Sequence, residues 1–156
     1  MLYQETKSVK VNSVLLFVYV EAALILSTGF VYFIAASNAY ADFTENVQDG
    51  LTSELPENQA ETLLFSIAAV GYVVIFAWVI IKKLKHKLPY IIALVGSTVL
   101  ITIYIASRTV GVPIVGVEYY VGKIDIVSKI LQLCVIAVGA YLLYSIGKVK
   151  VRAIAK

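Results

Sequence analysis

Residues 62–107 read TLLFSIAAVGYVVIFAWVII-KKLKHK-LPYIIALVGSTVLITIYIAS: two apolar runs, Thr62–Ile81 and Leu88–Ser107, split by a lysine-rich connection. About 20 apolar residues in a helix rise about 30 Å, the thickness of the hydrocarbon core of a bilayer. Both runs are continuously apolar rather than alternating, so each reads as a spanning helix and not as a barrel strand. The short connection Lys82-Lys83-Leu84-Lys85-His86-Lys87 forces the two into an antiparallel hairpin, and its charges belong at one membrane face. His86 reads there as a solvated residue.

Two further runs flank this hairpin. One extends from about Val11 to Ala36 and the other from about Ile126 to Gly147. Of the 156 residues, 60% are hydrophobic, against about 45–50% in soluble domains. A water-soluble core could not absorb that excess without large exposed patches, whereas acyl chains solvate it. The prediction is an all-α polytopic membrane protein, one domain built as a four-transmembrane-helix bundle.

The basic residues set the orientation. Lys7 and Lys10 precede the first run, Lys82, Lys83, Lys85 and Lys87 join the second to the third, and Lys148, Lys150, Arg152 and Lys156 follow the fourth. Only Arg108, Lys123 and Lys129 fall on the opposite side. Lysine and arginine accumulate on the cytoplasmic side of membrane proteins, so both termini are predicted cytoplasmic in a multi-pass protein of the cell membrane. The outer side is acidic. Its first loop, Ser37–Glu61, carries Asp42, Glu45, Asp49, Glu54, Glu57 and Glu61 with no Lys or Arg, and Glu118 and Asp125 follow in the second. The first segment is expected to be a solvated loop, with a docking surface or a cation-attracting mouth as the alternative, and a short surface helix over Asp42–Gln48 ended by Gly50 as one option. Pro56, after Ser53 and Glu54 and before Glu57 and Glu61, suits the first turn of a helix, so the second helix can begin near Leu55 or Pro56. Ala39-Tyr40-Ala41 resembles a signal-peptide cleavage site, but the apolar run before it is far longer than a signal core. The first run is therefore expected to be a retained span.

The chain has one Cys, Cys134, and one His, His86. No intramolecular disulfide, structural zinc site or bis-histidine haem can be built from them, and no cofactor or metal is predicted. No basic stretch is interleaved with aromatics as nucleic acid would require. Nor is there a nucleophile–base constellation, so catalysis is not expected.

Glu21 is the polar residue that most needs explaining. It lies about ten residues, or ~15 Å, into the first span, near the bilayer middle and slightly toward the cytoplasm. A carboxyl there normally faces a bundle interior, a cavity or a partner. The plainest expectation is a protonated Glu21 hydrogen-bonded to Tyr72, Thr98 or Tyr141. The alternatives are a proton- or ion-handling role, for which no further titratable group stands out deep in the other spans, and a contact with another subunit or with a lipid or quinone headgroup. Small residues suggest where helices approach closely: Ala23 and Ser27, Ala93 and Ser97, and Gly71, Gly96 and Gly139. Tyr90, Tyr119 and Tyr120 fall near the predicted interfaces, as an aromatic belt would have them.

The outer hairpin between the third and fourth spans is the second candidate site. Arg108 falls at the C-terminal end of one helix and Asp125 at the N-terminal start of the next, each complementing a helix dipole. Arg108 is expected to pair with Asp125 or Glu118 as a charge latch. Asp125 and Lys129 stand one turn apart in the favourable order. Lys129 can snorkel outward, while Gln132 lacks that reach and should bond across the bundle. With Arg108 they could line a pocket for an anionic or carbonyl headgroup. Ser107-Arg108-Thr109, Gly111, Pro113, Glu118, Gly122 and Asp125 resemble the outer hairpin of four-span integral membrane proteins of archaea and actinobacteria. The resemblance covers the last third of the chain; it implies a topology, and no activity or catalytic residue.

Three functions follow as expectations. The first is a non-catalytic subunit of a larger membrane complex, such as an energy-converting or oxidoreductase assembly, with other membrane subunits or a homo-oligomer as partners besides the bilayer. The second is a small ion or solute transporter or channel using Glu21. The third is a lipid- or quinone-binding protein using Arg108 and its neighbours.

Overall fold

A computed structural model describes residues 2–51, 55–111, 117, 119 and 121–154, with side chains from residue 13 to residue 148 within that set. Four helices make the fold: α1 (Leu2–Asp49), α2 (Leu55–Lys82), α3 (Leu88–Thr109) and α4 (Lys123–Ile154), with a 3₁₀ turn at Lys83–Lys85. Among the described residues there is no strand. All four helices are long and apolar enough to cross a membrane.

The first helix departs from expectation. It does not end near Ala36 but runs unbroken through the acidic segment to Asp49. The segment Phe30–Asp49 contains neither Gly nor Pro, so nothing in it breaks the hydrogen-bond ladder; its polarity ends the apolar run without ending the helix. The stop is Gly50, at φ 72°, the left-handed conformation that a glycine adopts without steric cost. Helix is thus the state of most of the expected outer loop. The surface-helix option over Asp42–Gln48 is realised as part of α1, and α2 begins at Leu55 as Pro56 indicated. Ser53 and Glu54 lie outside the described residues.

The connection from α2 to α3 is as tight as its length requires. Lys83 takes φ 44°, an uncommon left-handed value for a residue with a side chain, and its carbonyl accepts a hydrogen bond from Tyr90 Oη at 2.8 Å. Pro89 occupies the first turn of α3, where its missing N–H leaves no intrahelical partner wanting. His86 is exposed, as read from the sequence. Tyr90 is fully buried rather than belt-like; Tyr119 is exposed, and Tyr120 lies outside the described residues.

Of the three sequence-adjacent helix pairs, the one joined by the lysine-rich turn packs least. α1 packs along α2 and α4, and α3 packs on α4, while α2 and α3 diverge after their shared turn. An apolar cleft of about 240 Å³ separates them, lined by residues including Ile67, Gly71, Ala93 and Gly96. The close approach of α1 to α2 is at Gly29, where a Cβ would lie 3.1 Å from Tyr72 Cβ. The small-residue expectations divide accordingly. Ala93 and Ser97 are buried, but Ala23 and Ser27 are exposed. A Cβ on Gly71 or Gly96 would meet nothing within 4 Å, because both border the open cleft.

Candidate functional site

The polar side chains inside the bundle fall into two groups, separated along its axis. The outer group begins where α3 ends and α4 starts. Arg108 Nη2 donates to Asp125 Oδ2 at 3.0 Å, a partly buried ion pair. The same oxygen accepts the Gly122 N–H at 3.0 Å. Since α4 starts at Lys123, Asp125 reaches back to the residue preceding the helix, as the third-position acid of a capping box does. One carboxylate thus closes the hairpin and caps α4. Glu118, the other expected partner of Arg108, lies outside the described residues, as do Pro113 and Gly116.

Lys129 does not extend straight into solvent, nor does it pair with Asp125. Its ammonium donates to Tyr32 Oη and to Gln132 Oε1, each at 3.1 Å. It also lies 4.8 Å from the Tyr104 ring centroid and 5.6 Å from that of Tyr32, within cation–π range. Outward snorkelling gives way because a half-buried ammonium here finds two neutral acceptors and two aromatic rings at once. Gln132, fully buried, bonds across the bundle as expected. Its Nε2 donates to Tyr32 Oη at 3.0 Å and to Tyr72 Oη at 3.2 Å. The Tyr72 and Ser97 hydroxyls lie 2.8 Å apart, and the Tyr32 and Tyr72 rings stack at 5.9 Å. One hydrogen-bonded row, Lys129–Tyr32–Gln132–Tyr72–Ser97, therefore ties all four helices together.

The inner group centres on Glu21. It has no exposed surface, and neither carboxyl oxygen has a hydrogen-bond partner. None of the three expected partners reaches it. Tyr72 is engaged by Ser97 and Gln132. Thr98 bonds the Leu94 carbonyl from an exposed position, and Tyr141 is exposed and packs on Phe17. Instead Glu21 Oε1 faces Gly139 of α4, whose hypothetical Cβ would stand 3.0 Å from it and 3.9 Å from the Tyr90 carbonyl oxygen of α3. Two residues earlier, Tyr19 Oη accepts from Lys83 Nζ at 3.0 Å. Glu21 and the Tyr90 carbonyl, in the first turn of α3, both flank Gly139, which puts Glu21 toward the lysine-rich end of the bundle.

The five residues chosen from the sequence divide between these places: Arg108, Asp125, Lys129 and Gln132 belong to the outer group, Glu21 to the inner one. Sequence reasoning missed Tyr32 as the hub of the outer group. Tyr32 falls four residues before the end of the first apolar run, where a belt tyrosine is expected, so nothing in the run set it apart. Among the described residues, no three His, Cys, Asp or Glu side chains gather in a way that could hold a metal ion.

No protein-family model, curated protein or solved structure matches this chain.

Proposed function

We propose that the chain is a non-catalytic integral subunit of a larger assembly in the cell membrane, with both termini cytoplasmic. The observation that carries this reading is the helical projection made by the end of α1. Past its apolar run the helix continues for the 13 residues Ser37–Asp49, about 20 Å at 1.5 Å per residue. Asp42, Glu45 and Asp49 on it are exposed and belong in water. Among them Tyr40 is 58% exposed and Val47 51%, with Leu51 following at 47%. Apolar side chains held on a rigid acidic helix in water form the kind of surface that partners cover.

Orientation rests on the lysines. The side chain of Lys83 reaches Tyr19 of α1, and Lys87 Nζ lies 3.3 Å from the position of a Cβ on Gly147 of α4. Tyr19 of α1, Gly147 of α4 and the lysine-rich turn therefore lie toward one end of the bundle, and the accumulation of basic residues there supports a cytoplasmic position for it.

Extraction in a mild detergent followed by native mass spectrometry tests the proposal. Stoichiometric co-migration with other membrane subunits, weakened by the double substitution Tyr40→Ala, Val47→Asp, is the expected result. Migration as a bare monomer with bound lipid alone, unchanged by that variant, would overturn it.

A further inference from the structure

Glu21 is the one carboxyl within the four apolar stretches, and the structure gives it no partner. More than nine in ten buried polar groups in folded proteins are hydrogen-bonded, and an exception calls for an explanation. A structural explanation fails on geometry. Gly139 of α4 lies against the Glu21 carboxyl, the Tyr90 carbonyl oxygen of α3 flanks the same glycine, and Val18 and Ile25, on the same face of α1 as Glu21, are buried and apolar. Tyr90 directs its hydroxyl away, to the Lys83 carbonyl, and Tyr72 of α2 is committed to Ser97 and Gln132. Among the described residues no Lys or Arg pairs with Glu21: Lys83 turns to Tyr19, and Lys129 to Tyr32 and Gln132.

Gly139 leaves the space that the carboxyl occupies, since any side chain there would press on Oε1. Toward the acidic end, the interior continues as the polar row from Ser97 and Tyr72 through Gln132 and Tyr32 to Lys129, every link between 2.8 and 3.2 Å. A carboxylate without a counter-ion is costly in hydrocarbon, and ionisable groups inside membranes characteristically mark proton and ion pathways.

We propose that Glu21 is a reversible proton-binding site inside the membrane, exchanging its proton with water that enters along the Ser97–Tyr72–Gln132–Tyr32–Lys129 row. In loading, an O–H bond of hydronium breaks and one forms on a Glu21 oxygen, leaving neutral water; in release the same steps reverse. The inference stands apart from the docking surface of α1, which lies beyond the membrane.

Infrared difference spectroscopy on the full chain in liposomes, stepped through pH, reads this site directly. The expected result is a carbonyl band of a neutral carboxylic acid that bleaches as pH rises and returns as it falls. The band is lost in Glu21→Gln and retained, shifted in frequency, in Glu21→Asp. Labelling with dicyclohexylcarbodiimide, a lipid-soluble reagent that adds to protonated carboxyls, should modify the peptide containing Glu21, at a rate that falls as pH rises. Circular dichroism and size exclusion confirm that each variant is folded, and Glu21→Asp keeps the test decisive where Glu21→Gln does not fold. A band that stays constant across the whole pH range in folded protein, or one unaffected by either substitution, would overturn the proposal.

Discussion

Gly139 leaves the space that Glu21 fills: a methyl on the one would stand 3.0 Å from a carboxyl oxygen of the other. The two residues belong to different helices, so the size of one limits the chemistry of the other. Gly139→Ala is expected to destabilise the bundle by about 1–3 kcal/mol, the usual cost of overpacking. In a Glu21→Ala background the same substitution should cost much less, and a double-mutant cycle by denaturant unfolding in detergent measures the coupling. Strict additivity would mean that the two side chains do not share the space.

A buried carboxyl with no partner detracts from stability. Glu21→Met keeps the volume and removes the orphaned polar atoms, so it should raise stability by about 1–3 kcal/mol. Thermal unfolding in the same detergent gives the sign. A loss of stability on this substitution would point to a bonded, structural carboxyl.

Asp125 performs two tasks with one oxygen, and its substitutions should separate them. Asp125→Asn keeps an acceptor for the Gly122 N–H and gives up the charge opposite Arg108; the expected loss is about 1 kcal/mol, since the pair is partly exposed. Asp125→Ala gives up the cap as well, and the loss should rise to about 2–3 kcal/mol. Raising ionic strength should narrow the gap between wild type and Asp125→Asn and leave most of the gap between Asn and Ala.

The row through Gln132 predicts a graded response. Ser97→Ala removes one hydroxyl and leaves Tyr72 bonded to Gln132, for a cost of about 0.6 kcal/mol, typical of a hydrogen bond between membrane helices. Gln132→Leu breaks its links to Tyr32, Tyr72 and Lys129 together and leaves the Lys129 ammonium one acceptor poorer. The expected loss is about 2–3 kcal/mol. Equal effects of the two substitutions in unfolding experiments would show that the row is not continuous.

The glycines divide by what stands opposite them. Gly29→Ala puts a methyl 3.1 Å from Tyr72 Cβ and 3.4 Å from the Ala69 carbonyl oxygen, atoms that cannot swing aside, and should cost about 1–3 kcal/mol. Gly71→Ala and Gly96→Ala face open space and should be neutral or stabilising by up to about 1 kcal/mol through helix propensity. Melting temperatures of the three variants make the comparison.

The four helices were legible in the sequence because crossing a bilayer demands length and apolarity, and both are read directly from residues 62–107 and their flanks. The latch was legible for a similarly local reason. Arg108 and Asp125 stand at helix ends whose dipoles favour them, and a short hairpin brings such ends together. The reach of α1 to Asp49 was harder to see, because apolarity stops at Ala36 while helix formation requires only that no glycine or proline intervene. Tyr32 and Tyr72 were illegible as a network: their meeting with Gln132 depends on the relative rotation and stagger of three helices, which no single run encodes. Glu21 was conspicuous by its depth, but its isolation comes from where Tyr72, Thr98 and Tyr141 direct their own side chains.

The 48 unbroken residues of α1 make a rod about 72 Å long, more than twice the thickness of the hydrocarbon it crosses. Such a rod overhangs both faces. Any pivoting of the rod about Gly29 and Tyr72, where it packs close against α2, would swing its two ends in opposite directions.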